Sequence, residues 1–126
     1  EERLELIEVK ERSHKLLVNK YERRYVKVKQ GDTYYQIAKE FELGIWQLYH
    51  YNDLGKRDVL KEGEIIYLDP KRNKSKRGYT VFVCRKDITI REISQLECIK
   101  LKKLLKYNFG DTADMLLPQG TKVILR

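Results

Sequence analysis

The chain has 126 residues, a net charge of +8, 37% charged residues and a mean hydropathy of -0.65. No apolar run approaches the ~20 residues that a membrane-spanning helix requires, so that class is excluded, and the positive surface points to an anionic partner without choosing between nucleic acid, anionic lipid and acidic glycan. Two cysteines, Cys84 and Cys98, are too few for a disulfide framework; they read as buried thiols, with a bridge between them as the alternative.

In chain order, Glu1–Lys10 has helical composition and Lys15–Asn19 reads as a strand. Asn19-Lys-Tyr-Glu22 turns that strand back towards Arg24–Val28, which predicts a hairpin at the end of an N-terminal extension, residues 1–24. The first residue is Glu and no signal peptide is present; this reads as a processed product or an excised fragment.

From Tyr25 the pattern sharpens. Val26 and Val28 alternate with Lys27 and Lys29, the period of a half-buried strand. Gly31-Asp32 breaks the strand, and Thr33-Tyr-Tyr-Gln36 has the form of a capping box. Tyr34, Ile37, Ala38 and Phe41 then share one helical face. Gly44 is expected to stop that helix. Ile45, Leu48 and Asn52 line a second helix, with Asn52 as a left-handed terminator. The loop Asp53–Asp58 and the turn Leu60–Gly63 lead into a closing strand, Ile65–Leu68. Residues 70–78 are rich in Lys and Arg and read as an extended, solvated linker.

The plan then returns. Ile37, Leu48 and Asn52 reappear as Ile93, Leu104 and Asn108, all at an offset of 56 residues. Self-similarity at one period means two copies of one supersecondary unit, here 25–69 and 79–126. In the second, Phe82 and Cys84 take the strand positions, Thr89–Glu92 is the capping box, and Ile88 with Ile93 forms a hydrophobic staple. Leu101, Leu104 and Leu105 face the helices, and Lys122–Leu125 closes the unit. The predicted fold class is α+β: two strand–helix–helix–strand (βααβ) modules, each a two-stranded antiparallel sheet with both helices on one face, plus the N-terminal hairpin.

Catalytic signatures are absent from the sequence. His14 and His50 lack metal-ligand spacing, and there is no H-E-x-x-H, G-x-S-x-G or P-loop pattern. No cofactor, metal site or enzyme activity is expected of these residues. Trp46 reads equally as a partly buried residue or an exposed contact.

Tyr25-Val-Lys-Val-Lys-Gln-Gly-Asp-Thr33, then Ile37-Ala38, Phe41, Leu48, Asn52 and Leu60-x-x-Gly63-x-x-Ile66-x-Leu68, resemble the LysM module. Residues 80–125 resemble it less closely. The tandem arrangement is similar to the C-terminal region of bacterial cell-wall glucosaminidases, especially of the Bacteroides group. The resemblance implies non-catalytic binding of peptidoglycan or another N-acetylglucosamine glycan, tethering of a cell-wall hydrolase or surface protein whose catalytic domain lies upstream, and a location in the periplasm or cell envelope. It also implies a shallow groove walled by Gly31, Asp32, Thr33 and Tyr34 on one side and Asn52, Asp53, Leu54 and Gly55, reaching Arg57, on the other. Thr33 and Asn52 also read as helix-end residues, and Tyr34 as core. The equivalent positions of the second copy are Ile88, Thr89, Ile90, Asn108, Phe109 and Gly110. There Asp87-Ile88-Thr89 replaces Gly31-Asp32-Thr33, so the second module is expected to bind more weakly or only to support the first. Two readings of other classes stand beside this one: nucleic-acid binding through the basic linker and the tyrosines, and docking to other protein domains by modules whose grooves have decayed.

Overall fold

The computed structural model describes residues 13–55 and 59–126; the helix expected at Glu1–Lys10, and Arg57, lie outside them. Strand β1 (Leu17–Val18) pairs antiparallel with β2 (Arg24–Lys27) around a turn in which the Asn19 carboxamide accepts from the Tyr21 and Arg23 amides at 2.9 and 3.0 Å. Helices α1 (Tyr34–Glu40) and α2 (Ile45–Tyr51) follow, and β3 (Ile65–Tyr67) pairs with β2 in the register Tyr25↔Tyr67, Val26↔Ile66, Lys27↔Ile65. The first unit is therefore a β1-β2-β3 sheet with two helices packed on it. Val26, Val28, Ile37, Leu48, Ile66 and Leu68 form its core, with Tyr34, Ala38 and Phe41. Each fully buried aliphatic side chain here contributes about 1.5–3 kcal/mol.

Strands β4 (Val81–Val83) and β7 (Lys122–Ile124) pair in the register Phe82↔Val123, and helices α3 (Ile90–Glu97) and α4 (Leu101–Tyr107) lie between them in sequence. Their core gathers Cys84, Ile88, Ile90, Ile93, Ile99, Leu104 and Val123. Both cysteines are buried and unbridged. The second unit adds a ladder that periodicity does not announce: β5 (Ile88–Thr89) pairs antiparallel with β6 (Leu116–Leu117). Its strands are two residues long and overlap a helix cap and a turn.

The helix ends refine the sequence reading. Thr33 and Thr89 cap α1 and α3, accepting from the Gln36 and Glu92 amides. Only Thr89 has the reciprocal arm, the Glu92 carboxylate accepting from the Thr89 amide at 3.1 Å. Gly44 does not stop α1. The left-handed residue there is Glu42 (φ 58°), and 56 positions on it is Cys98 (φ 57°). Gly44 instead opens α2, its amide donating to Gln47 Oε1 at 2.9 Å. Asn52 is not left-handed either, with φ -111°; that conformation falls on Asp53 (φ 54°).

What Asn52 does is larger. Its carboxamide is buried and bonded on every side: Nδ2 donates to Leu48 O (2.8 Å) and Tyr67 O (2.9 Å), and Oδ1 accepts from Tyr67 N (2.6 Å) and Gln95 Nε2 (3.0 Å). Asn108 repeats the arrangement, donating to Leu104 O (2.9 Å) and Ile124 O (2.8 Å) and accepting from Ile124 N (2.8 Å). Each carboxamide fastens the end of the second helix to the outer edge of the closing strand.

The segment 70–78 is not the solvated linker its charge suggests. Lys71 and Ser75 are buried. Arg72 makes a parallel bridge with Ile99, with amide bonds Arg72 N to Cys98 O and Lys100 N to Arg72 O, both 2.8 Å. Lys71 Nζ reaches Asp53 Oδ2 (2.6 Å), Ser94 Oγ (2.6 Å) and Gln95 Oε1 (2.8 Å). Backbone pairing and one satisfied ammonium outweigh the repulsion that would have extended this stretch.

His14 pins the N-terminal hairpin. It is buried, with Nδ1 2.9 Å from Glu40 Oε1 and Nε2 2.6 Å from Asp32 Oδ2. With a carboxylate at each nitrogen, both ring nitrogens donate, which is the imidazolium. Burial opposes that charge, but the bonds to Asp32 and Glu40 outweigh it and raise the His14 pKa. Burial likewise opposes the Glu40 charge, and the bonds from Ser13 and His14 reverse the balance and lower its pKa.

Two outcomes follow from these contacts. Replacing Asn52 by Ala strands several buried polar groups, each costing about 1–3 kcal/mol; urea unfolding of N52A should show a loss of about 3 kcal/mol or more, and N108A, with one fewer bond, a smaller loss. For His14 the raised folded pKa means that its stabilisation is complete below about pH 6.5, its unfolded value, and fades as pH rises through the folded value. Glu40 works oppositely, contributing above its unfolded value and losing that as pH falls. The stability difference between wild type and H14Q, followed by urea midpoint from pH 5.5 to 9, should therefore shrink as pH rises; a constant difference would show that His14 is bound as a neutral ring.

Candidate functional site

The loop between β2 and α1 contains Gly31 at φ 86°, a conformation that L side chains rarely adopt. The space where a side chain would project is open, with no atom within 4 Å. Asp32 sits beside it but does not present a free carboxylate. Its Oδ2 accepts from the Lys29 amide (2.6 Å) as well as from His14 (2.6 Å). Thr33 is exposed and caps α1; Tyr34 is buried, its ring edge-on to Tyr49 at 5.1 Å between centroids.

On the facing side, Asn52 is buried in the carboxamide clasp. Asp53 turns towards the second unit: its Oδ2 accepts from the Leu101 amide at 3.0 Å and pairs with Lys71, and its carbonyl accepts from Arg91 at 3.1 Å. Leu54, bonded from its amide to Tyr49 O at 2.9 Å, packs half-buried against the same core as Tyr34. Gly55 is exposed. The fold thus brings Gly31, Thr33, Tyr34, Leu54 and Gly55 to one end of the first unit, and it commits Asp32, Asn52 and Asp53 to holding the loops in place.

The equivalent end of the second unit is built differently. Ile88 and Ile90 are core residues, 3% and 0% exposed, and Asn108 is the second clasp. Ladder β5–β6 joins Ile88 to Leu117 and Thr89 to Leu116, and the Arg91 amide donates to Ala113 O at 3.0 Å. These bonds run between the loop before α3 and the loop after α4, so the two walls are zipped together. Phe109 and Gly110 are left outside, Phe109 at 99% exposure. Among the described residues of the first unit no such ladder joins the walls.

Four residues of this region carry no signature in the sequence. Gln95 covers the outer edge of β3, donating to Ile65 O at 2.8 Å and to Asn52. Tyr67, 2% exposed, donates its hydroxyl to Gln95 O at 2.6 Å, and burial pushes its phenol pKa well up. Lys71 is held by Asp53 although burial lowers its pKa. Arg91 bonds both Asp53 O and Asp114. Among the described residues no cluster of His, Cys, Asp and Glu could hold a metal ion. Trp46 is 69% exposed, with its indole lying over Gly44.

No curated protein matches the chain. The solved structures with similar outlines include the spore cortex-lytic enzyme SleL of Bacillus cereus, at 20% identity and a TM-score of 0.34 over 81% of this chain, and SleL of Bacillus megaterium QM B1551, at 19% and 0.34 over 80%. This chain spans 22% of the length of each, and at those scores neither likeness bears on what it does. The family comparison is specific. It matches residues 26–69 to the LysM domain and does not extend into the second unit. The matched span runs from the first buried valine of β2 to the residue after the core of β3, and contains the loops before α1 and after α2; residues 26–69 match the LysM domain.

Proposed function

We propose that the chain binds a glycan built from N-acetylglucosamine, peptidoglycan foremost, at the end of the first unit between Gly31–Tyr34 and Leu54–Gly55. LysM domains are non-catalytic modules for such glycans. The observation that carries the reading here is the difference between the two ends. In the first unit no described ladder joins the walls, and open space lies beside Gly31. In the second, β5–β6 occupies the backbone groups a sugar would need.

The chemistry suits an acetylated sugar. An N-acetyl group offers one donor, one acceptor and a methyl, and loop backbone groups with an apolar neighbour such as Leu54 match all three. Gly31 lets the backbone come close. Asp32, Asn52 and Asp53 act one step back, fixing the loops through His14, Tyr67, Lys71 and Leu101. The second unit is a divergent copy of the same module that serves as a buttress, and the pair tethers a cell-wall hydrolase or surface protein to the wall, outside the cytoplasm.

Titration of the whole 15N-labelled chain with tetra-N-acetylchitotetraose tests this. The amides of Gly31, Thr33, Leu54 and Gly55 should shift and those of Ile88, Ile90 and Leu116 should not. L54A, shown to be folded by its thermal transition, should bind about tenfold more weakly, equivalent to about 1.4 kcal/mol. Shifts centred on Phe109 and Gly110, or no binding, would contradict the proposal.

A further inference from the structure

At the seam between the units lies an open cavity of about 390 Å³ lined by Arg23, Arg72, Asn73, Lys74 and Lys100, with Pro70 and Lys71 behind them. None of its described lining residues is acidic. Three cations next to or near these residues are matched: Arg24 with Asp69, Lys71 with Asp53, Arg91 with Asp114. Among the described residues none of Arg23, Arg72, Lys74 and Lys100 has a carboxylate within 4 Å, although three of them are half-buried. Gathering unmatched like charges in a concavity costs folding free energy unless an anion occupies it.

The two arginines are held in position. Arg72 lies over the Tyr21 ring with its guanidinium carbon 4.2 Å from the centroid. Arg23 donates Nε to Pro70 O at 2.9 Å and one terminal nitrogen to Tyr21 O at 3.0 Å, which leaves its other terminal nitrogen for a ligand. A guanidinium so fixed loses little side-chain freedom on binding and offers planar paired donors that fit phosphate or carboxylate oxygens. Tyr21 is not an open platform for a base, since Lys20 also sits 5.2 Å from its centroid. Base stacking, the usual source of single-strand affinity, has no place on that ring.

We propose that this seam is an oxyanion site for a phosphate or carboxylate group carried on a linear polyanion without bases, such as an acidic wall polymer. It is separate from the glycan cleft and does not depend on it. The decisive experiment titrates the full 15N-labelled chain with tripolyphosphate, with an oligogalacturonate and with an oligothymidylate. Saturable shifts confined to Arg23, Arg72, Asn73, Lys74 and Lys100 are expected with the first two, and the tighter one identifies the preferred anion. R23Q/R72Q should weaken binding about tenfold or more. So should K74Q/K100Q, whose side chains make no contact on which the fold relies. K27Q/K61Q, which removes the same charge from the opposite end of the β2–β3 pair, should change affinity less than about twofold. Shifts that spread over all the surface lysines without saturating, equal losses in all three double variants, or tighter binding of oligothymidylate would each overturn the proposal.

Discussion

A buried carboxamide at the end of the second helix holds each unit together. Asn52 and Asn108 have the same job at positions 56 apart. In β2–β3 the pair Val26↔Ile66 leaves the polar groups of Tyr67 pointing away from the ladder. They face the helices, where an open strand edge would be an aggregation liability. The carboxamide supplies what a further strand would have supplied, one acceptor and one donor at peptide spacing, and its remaining N–H ties down Leu48 O near the end of α2. A two-helix unit of this size buries little surface, so fastening helix to strand through groups that water would otherwise solvate decides whether the closing strand stays.

The first clasp also joins the two units. Asn52 Oδ1 accepts a second bond from Gln95, and Gln95 continues along the edge to Ile65 O. Asp53, the next residue, takes the Leu101 amide, the Lys71 ammonium and an Arg91 bond through its carbonyl. The loop after α2, one wall of the proposed glycan site, is thereby built against the second unit. A loop positioned in this way meets a ligand with its ordering cost already met by folding. The second unit, its own loops joined by the β5–β6 ladder, thus also orders the loop after α2 of its neighbour.

The sequence made much of this legible. Alternating valines, threonine caps and the apolar face of α1 are local patterns, and they mark real elements. The likeness of the two units is legible because the core positions Ile37, Leu48 and Asn52 return at one offset as Ile93, Leu104 and Asn108, and all six are buried. What local pattern misses is whatever depends on a distant partner. Asn52 reads as a terminator because its true partner is Tyr67, and Glu42 and Cys98 adopt left-handed backbone that their side chains do not advertise. Lys71 reads as linker because its matching carboxylate is on another element. His14 reads as an isolated histidine for the same reason. Of the residues expected in the groove, the spacing identifies the loops, but it does not separate Gly31 and Gly55, which are exposed, and half-buried Leu54 from Asp32, Asn52 and Asp53, which are spent on structure. Ladder β5–β6 is too short to have a period.

The account makes both units one cooperative body joined through Asn52 and Asp53. Native-state hydrogen exchange tests that directly by comparing three amides: Tyr67 in the first clasp, Ile124 in the second, and Leu101, which donates to Asp53 across the seam. The account predicts that all three exchange with a common opening free energy, close to that of global unfolding. Exchange of the Leu101 amide orders of magnitude faster than Tyr67 and Ile124, with those two unlike each other, would show two units that open independently, and would contradict it.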